Sequence, residues 1–239
     1  MNALEIKNLS KSFDGFALQN VSLTLPMGSA LGLIGENGAG KSTTISLLLG
    51  QLRRDGGEIR LLGQSAGENS ATIREDIGVV FDESCFPDGL NTRQVDKVER
   101  CIYKNWDSGA YFEHIRRFNL PETKPFKTYS RGMKMKLALA VALSHKAKLL
   151  LLDEATGGLD PLARDELIGE LAAFVADGEH AILLSSHIVS DIEKLCDRVA
   201  FLHRGKLILS EEKEALLAAH PGKTLEEIIL DITRKEREK

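Results

Sequence analysis

The sequence has no apolar run long enough to cross a membrane as a helix. Its longest such runs, at 149–152 and 181–184, fall far short of the roughly 20 residues that a bilayer requires. The N-terminus has neither the basic stretch nor the apolar segment of a secretory signal, so we expect none. If the protein serves a membrane, a separate chain must provide the membrane-spanning part.

Cysteine is scarce, and neither sign of charge dominates. The three cysteines, Cys85, Cys101 and Cys196, are odd in number and widely spaced, so they form neither a metal motif nor a disulfide framework. This usage is typical of a reducing compartment. The net charge of −4 lacks the basic excess that broad nucleic-acid binding usually needs, and we expect no nucleic-acid partner.

The hydrophobic pattern alternates between strands and helices. Residues 1–65 consist of short strand-like runs broken by turns, and 76–81 is again strand-like. Apolar residues then recur at helical spacing across 83–147. Three further strands are predicted, with helices between them, at 149–152, 181–185 and 199–202. Such alternation predicts an α/β protein with a parallel sheet and a helical block within it.

From residue 211 onward the chain is charged and predicted to be helical as far as 239. Four apolar residues share one face of this tail: Leu225, Ile228, Ile229 and Ile232. The stripe packs either on the core, which we favour, or on a second subunit. The sequence shows neither an internal repeat nor a sustained heptad run.

Residues 35–43 carry a phosphate-binding pattern. Gly35 and Gly40-Lys41-Ser42 fit G-x-x-x-x-G-K-[ST], with an apolar strand before the loop and a helical stretch after it. Glycines let backbone N–H groups turn toward phosphate oxygens, and the helix N-terminus adds partial positive charge. Lys41 is predicted to reach the β- and γ-phosphates and Ser42 to bind Mg²⁺. The motif alone indicates nucleotide phosphate binding, without specifying the reaction.

Asp153 and Glu154 follow four leucines, where a buried strand is predicted to end. Beside a magnesium nucleotide, the first carboxylate can hold the metal through water, and the second can orient or deprotonate an attacking water. An apolar strand ending in two acids is common by itself. Its combination with the phosphate loop makes a nucleotide hydrolase the better interpretation.

Taken together, these motifs resemble the nucleotide-binding subunit of an ABC transporter over roughly residues 4–210. Residues 129–133 (Tyr-Ser-Arg-Gly-Met) lie where that family has its signature segment, and 157–160 (Gly-Gly-Leu-Asp) resemble its D-loop. Residues 185–187 (Ser-Ser-His) resemble its switch-histidine segment. The resemblance implies one domain over 1–239, with a P-loop NTPase core, a parallel sheet, an antiparallel β-subdomain and a helical subdomain inserted at about 83–147.

The resemblance also implies a role for each matching residue. Glu154 would be the catalytic base and His187 would contact the γ-phosphate, while Mg²⁺ would be held by Ser42 and Asp153, with Asp82 as a further candidate. Ser130 and Gly132 would close over ATP held by a second ATP-binding subunit. The ATP-binding set as a whole is Phe13, Gly35, Asn37, Gly38, Gly40, Lys41, Ser42, Thr43, Ser130, Gly132 and Asp160.

The sequence departs from the family pattern at two segments. Arg131 and Met133 replace the first glycine and the terminal glutamine of the signature. Asp82 stands where the family has its Q-loop glutamine. Since Asp is shorter and anionic, it would position water differently, although it could still bind Mg²⁺. Arg131 either adds a cation near the site or is simply solvated.

The resemblance implies an ATPase at the cytoplasmic face of the membrane that works with a separate transmembrane permease. Its second ATP-binding subunit would form either a homodimer or a heterodimer with it. Among transporters, the pattern is most similar to bacterial ABC-2 type exporters of peptides and antimicrobial compounds, such as phenol-soluble modulins. ABC ATPases of translation or DNA repair and P-loop kinases or GTPases are the alternatives. The first usually have two such domains or a long coiled coil, and the second lack the signature.

Overall fold

The computed structural model describes residues 1–66, 70–82 and 86–237. Cys85 therefore lies outside the described residues. Within them, ten strands form one sheet in the order β5-β4-β1-β2-β10-β9-β3-β8-β7-β6. The strands are β1 (Asn2–Phe13), β2 (Phe16–Pro26), β3 (Ala30–Ile34), β4 (Gly56–Leu61), β5 (Gln64–Ser65), β6 (Ile77–Phe81), β7 (Leu149–Asp153), β8 (Ala181–Ser186), β9 (Arg198–His203) and β10 (Lys206–Glu212).

The sheet is parallel in its central part and antiparallel toward one end. β9, β3, β8, β7 and β6 pair in parallel, whereas β1 pairs antiparallel with both β2 and β4. The expected parallel sheet and antiparallel β-subdomain are therefore both confirmed. The parallel strands β3 and β8 are buried along their whole length, as a sheet covered on both faces requires.

Nine α-helices accompany the sheet in the described part of the chain. They are α1 (Lys41–Leu48), α2 (Ser70–Glu75), α3 (Thr92–Ile102), α4 (Ser108–Arg117), α5 (Arg131–Ser144), α6 (Pro161–Val175), α7 (Val189–Leu195), α8 (Lys213–Ala219) and α9 (Leu225–Arg237). Between β6 and β7 the described chain is mainly helical, with α3, α4 and α5. The division of the chain at 83–147 into a subdomain stays a prediction.

The prediction of a helix from residue 211 is wrong at its start. Residues 211 and 212 belong to β10, which pairs antiparallel with β9, and helix begins only at Lys213. The preference for core packing of the tail is confirmed, because Leu225, Ile228 and Ile229 are buried and belong to the main core. None of the helices in the described segments has the length and apolar character needed to span a bilayer.

Gly78 on β6 fixes how closely α5 approaches the sheet. A Cβ at this position would lie 2.4 Å from the Leu150 side chain and 2.9 Å from the Ala142 carbonyl oxygen on α5. At the other end of the same pair of elements, Asp82 just after β6 forms an ion pair with Arg131 at the start of α5. The helix therefore runs antiparallel along β6, and its N-terminus lies at the carboxyl end of the parallel strands.

Candidate functional site

The phosphate loop connects β3 to α1 through glycines in left-handed conformations. Gly38 has φ 82° and Gly40, the residue before α1, has φ 112°. A Cβ on Gly40 would lie 3.0 Å from Leu18 and 3.1 Å from Phe16, so both backbone conformation and space favour glycine there. The loop thus leads directly into the N-terminus of α1 without bulky side chains at Gly38 and Gly40. Backbone N–H groups at such a helix start are suited to bind an anion.

Lys41 is buried against the loop that precedes it. Its Nζ donates to the Gly35 carbonyl oxygen at 2.7 Å and forms an ion pair with Oε1 of Glu154 at 3.0 Å. The Lys41 side chain is only 5% exposed. A buried ammonium needs such partners, and a phosphate group is a natural competitor for the same charge. The structure therefore brings the loop lysine and the predicted base together.

Glu154 and His187 meet where β7 and β8 end side by side. Oε2 of Glu154 lies 2.6 Å from Nδ1 of His187. Glu154 has φ 52°, a left-handed conformation that is unfavourable for residues other than glycine. Its carbonyl oxygen accepts from the N–H of Gly157 at 3.0 Å, closing a tight turn. Such local strain is often found at functional sites, and here it turns the carboxylate toward Lys41 and His187.

Asp153 lies one residue before this turn, at the end of β7. The Ser185 hydroxyl donates to its Oδ1 at 2.8 Å, because Asp153 and Ser185 are register partners in β7 and β8. Ser42 is exposed at the start of α1. Sequence reasoning identified Asp153 but not the hydrogen bond that fixes its orientation, since residues 32 apart become neighbours only through sheet register.

The remaining predicted ATP-binding residues lie around this centre or on other elements. Asn37 is exposed in the phosphate loop and Thr43 is half-buried in the first turn of α1. Phe13, at the end of β1, is 43% exposed, with its ring centroid 6.3 Å from that of Phe16. The Nζ of Lys11 lies 5.5 Å from the Phe13 ring. An exposed aromatic ring is available for stacking on a planar ligand.

Ser130 and Gly132 lie at the N-terminus of α5. The Ser130 hydroxyl accepts a hydrogen bond from the Met133 N–H at 3.3 Å, and Ser130 is exposed. A Cβ on Gly132 would make ordinary contacts, at 3.5 Å to Ala163 and 3.9 Å to Leu159. Asp160 caps α6 in the same manner, accepting from the Ala163 N–H at 3.0 Å. These described side-chain hydrogen bonds stay within each residue's own helix.

Arg131 and Asp82, the two charged residues among the departures from the family pattern, contact each other. Their guanidinium and carboxylate form an ion pair, and both side chains are 48% exposed. Reasoning from single motifs missed this contact because the residues are 49 positions apart. The available signal was that the two unexpected residues carry opposite charges.

Comparison with known proteins confirms the family resemblance. Residues 18–157 match the ABC transporter family model. The lantibiotic transport ATP-binding protein SrtF of Streptococcus pyogenes is 35% identical over 212 residues, which cover 87% of this chain and 90% of that protein. The bacitracin transport ATP-binding protein BcrA of Enterococcus faecalis is 31% identical over 210 residues, covering 86% and 68%.

A solved structure of the ATP-binding subunit of an ABC transporter superposes with a TM-score of 0.87 at 26% identity, covering 97% of this chain and 99% of that one. Subunits of this family work with separate transmembrane components and dimerise. The chain belongs to the ABC transporter family, as an ATP-binding subunit that hydrolyses ATP.

Proposed function

We propose that this chain hydrolyses ATP in a head-to-tail pair of subunits and thereby drives export of a peptide or other antimicrobial compound through a separate permease. The observation that carries the hydrolytic part is the chain of contacts from Lys41 through Glu154 to His187. Oε1 of Glu154 forms an ion pair with Nζ of Lys41 at 3.0 Å, and Oε2 lies 2.6 Å from Nδ1 of His187. These contacts join a cation suited to phosphate binding, a carboxylate suited to act as a base and an imidazole. A merely structural loop has no need of this combination.

ATP is held by the phosphate loop of one chain in this proposal. Backbone N–H groups of the loop, with Gly35, Gly38 and Gly40 free of side chains, surround the phosphates, and Lys41 neutralises their charge. Phe13 stacks on the adenine ring in this proposal, supported by its 43% exposure and by its position beside Phe16, which lies against Gly40 of the loop. Asn37 lies in the same loop and Thr43 in the first turn of α1, and we assign both to the phosphate-binding part of the site.

Glu154 acts as the base toward the attacking water, and His187 contacts the γ-phosphate. Phosphate binding gives Lys41 a new partner, which releases Oε1 of Glu154 for a water molecule. His187 then keeps the carboxylate oriented through the 2.6 Å contact with Oε2. Charge on the transferred phosphoryl group is met by Lys41 and by the helix N-termini.

The proposed Mg²⁺ site consists of Ser42 and Asp153, whose hydroxyl and carboxylate oxygens are the hard donors that this ion prefers. Ser42 is exposed, and one Asp153 oxygen is fixed by Ser185 at 2.8 Å. When bound, the ion would neutralise negative charge on the phosphate groups. Asp82 was a further candidate, but its carboxylate is paired with Arg131, and we assign it to that pair instead.

The second half of the site comes from the partner subunit's copy of Ser130, Gly132 and Asp160. This proposal is supported by the exposure of Ser130 and by the helix N-terminus behind it, whose first turn contains no acidic residue. Each site thus combines the phosphate loop of one chain with the signature segment of another. Two identical chains, or this chain and a related one, would form two such sites.

The proposed location is the cytoplasmic face of the membrane, with the chain bound to its permease as one domain over 1–239 that includes a helical subdomain at about 83–147. The cargo class rests on the relatives, of which one is named for lantibiotic transport and another for bacitracin transport. Both cargoes are antimicrobial peptides. Import is the competing direction.

The substitution Gly132→Asp tests the composite site. Its Cβ fits the fold, and an acidic residue suits the first turn of a helix, so the melting temperature should hold. The added carboxylate would repel the partner's ATP, so hydrolysis should fall about 100-fold or more. Gly169→Asp on α6, where a Cβ meets open space, is the matched control and should hydrolyse normally. Normal hydrolysis by Gly132→Asp would contradict the proposal.

Cargo and direction require the permease. The tagged chain should be purified from detergent-solubilised membranes of its native cells, and the complex reconstituted so that the ATPase faces outward. ATP-dependent uptake of a labelled lantibiotic into these vesicles would support export from the cell. Uptake that persists with Glu154→Gln, or no uptake of any antimicrobial peptide, would contradict this part of the proposal.

A further inference from the structure

The Asp82–Arg131 ion pair bridges two parts of the fold that the proposed function uses separately. Asp82 follows β6, and Arg131 is the first residue of α5, between Ser130 and Gly132. Both side chains are 48% exposed. An ion pair this exposed contributes little to folding, so its charges remain available to other partners.

Arg131 also lies against the loop that follows Glu154. A Cβ on Gly158 would be 2.8 Å from Nη1 of Arg131, and one on Gly157 would be 3.8 Å from Nη2 of the same guanidinium. The same position on Gly157 is 4.0 Å from Cε1 of His187. The guanidinium therefore occupies space that two glycines leave open, and a second anion can reach it from solvent.

The start of α5 is electropositive beyond this one residue. Arg131 stands beside the positive end of the helix dipole, an unfavourable position for a cation unless an anion is near. Lys134 follows in the first turn, whereas the charge of Lys136 is compensated by its ion pair with Glu166. In the isolated chain, Asp82 is the anion that compensates Arg131.

We propose that Arg131 is a phosphate-binding residue of the composite site and that Asp82 competes with the partner subunit's ATP for its guanidinium. This inference rests on the proposed function, which places Ser130 and Gly132 against the partner subunit's ATP. Arg131 lies between these two residues in the chain. A triphosphate carries more charge than one carboxylate and accepts bidentate hydrogen bonds from arginine. ATP-driven association therefore exchanges the internal ion pair for an intersubunit one.

The exchange predicts opposite effects for the two members of the pair. Removing the Asp82 charge frees Arg131 and should make ATP-driven dimerisation easier, whereas removing Arg131 should make it harder. If the ion pair only held α5 in place, removing either charge would change ATP-driven dimerisation in the same direction. The sign of the Asp82 effect is thus the decisive observable.

The experiment measures the ATP concentration for half-maximal dimerisation, by size-exclusion chromatography with light scattering, in a Glu154→Gln background that prevents turnover. Asp82→Asn should lower this concentration about two- to fivefold, the range expected for a surface ion pair. Arg131→Gln should raise it about tenfold or more, as for loss of a charged hydrogen bond. The double variant should match Arg131→Gln alone.

Lys136→Gln and Glu166→Gln remove another ion pair of α5 and serve as matched controls, with no expected shift. Shifts of equal sign for Asp82→Asn and Arg131→Gln, or shifts no larger than these controls, would overturn the inference while leaving the proposed function intact. If Glu154→Gln alone fails to dimerise with ATP, the composite site itself is refuted, and the inference with it.

Discussion

Oε2 of Glu154 lies 2.6 Å from Nδ1 of His187, although the two residues are 33 positions apart in the chain. The contact exists because β7 and β8 are parallel neighbours, so the residues that follow them meet at one edge of the sheet. Lys41 reaches the other oxygen of the same carboxylate at 3.0 Å. Glu154 therefore links the lysine of the phosphate loop to the histidine that follows β8.

Glu154→Gln should retain ATP binding and lose nearly all turnover. The amide keeps the shape of the carboxylate but accepts no proton from water, so hydrolysis should drop about 100- to 10,000-fold. ATP should then trap a dimer, measured by light scattering alongside the rate of phosphate release. Glu58→Gln, at an exposed position of β4, is the control and should hydrolyse normally. Near-normal turnover by Glu154→Gln would remove Glu154 from the role of base.

His187→Gln should lower the hydrolysis rate about 10- to 100-fold, since the proposed contact with the γ-phosphate and the imidazole contact with Glu154 are both lost. His180→Gln provides a close match, because His180 also pairs with a carboxylate, that of Asp177 at 2.7 Å, but just before β8 starts. Its turnover should be unaffected. Equal rates for the two variants would show that the position of His187 has no special part in the reaction.

Gly78 and Gly169 should respond to alanine in opposite directions. At Gly78 the new methyl group would collide with Leu150 and with the α5 backbone, so we expect the free energy of unfolding to fall by about 1–3 kcal/mol. At Gly169, within α6, a Cβ meets open space, and alanine should add about 0.5–1 kcal/mol through helix propensity. Urea denaturation of both variants decides the matter; a stabilised Gly78→Ala would contradict the described packing of α5 on β6.

His114 should make stability depend on pH. Burial, followed by the nearby Arg117 charge, lowers the pKa of the His114 imidazole below its ordinary value. The unfolded chain therefore binds more protons than the folded chain once the pH falls below about 6.5, and stability declines there as the solution becomes more acidic. His114→Leu removes this contribution.

Melting temperatures at pH 7.5 and 5.5 compare the two proteins. The drop on acidification should be larger for the natural chain than for His114→Leu. An identical drop in both would show that His114 titrates alike in the folded and unfolded chains.

The place of the central motifs in the fold could be predicted from the sequence because each motif depends on local chemistry. The phosphate loop lies between a strand and a helix as expected, and the two acids lie where a buried strand ends. β10 was missed because residues 207–209 form a short apolar run followed by charges, a pattern equally typical of a helix start. Only pairing with β9 makes it a strand.

The partners of the site residues were harder to predict than the residues themselves. Asp82 and Arg131 each departed from the expected pattern. Alone, Asp82 suggested a Mg²⁺ ligand that positions water differently, and Arg131 suggested either an added cation near the site or a solvated side chain. Their contact depends on α5 lying antiparallel to β6, which the tertiary fold determines. The pairing of Lys41 with Glu154 likewise depends on the order of strands in the sheet.

The composite site is tested most directly by mixing two inactive chains. Lys41→Ala disables the phosphate loop but keeps the signature segment, and Ser130→Ala/Gly132→Asp does the reverse. A head-to-tail pair of the two contains one intact site, so an equal mixture should recover about a quarter of the normal hydrolysis rate, because half of the dimers are mixed and each has one of two sites. If each chain instead contained a complete site of its own, mixing would restore nothing, and the account would be contradicted.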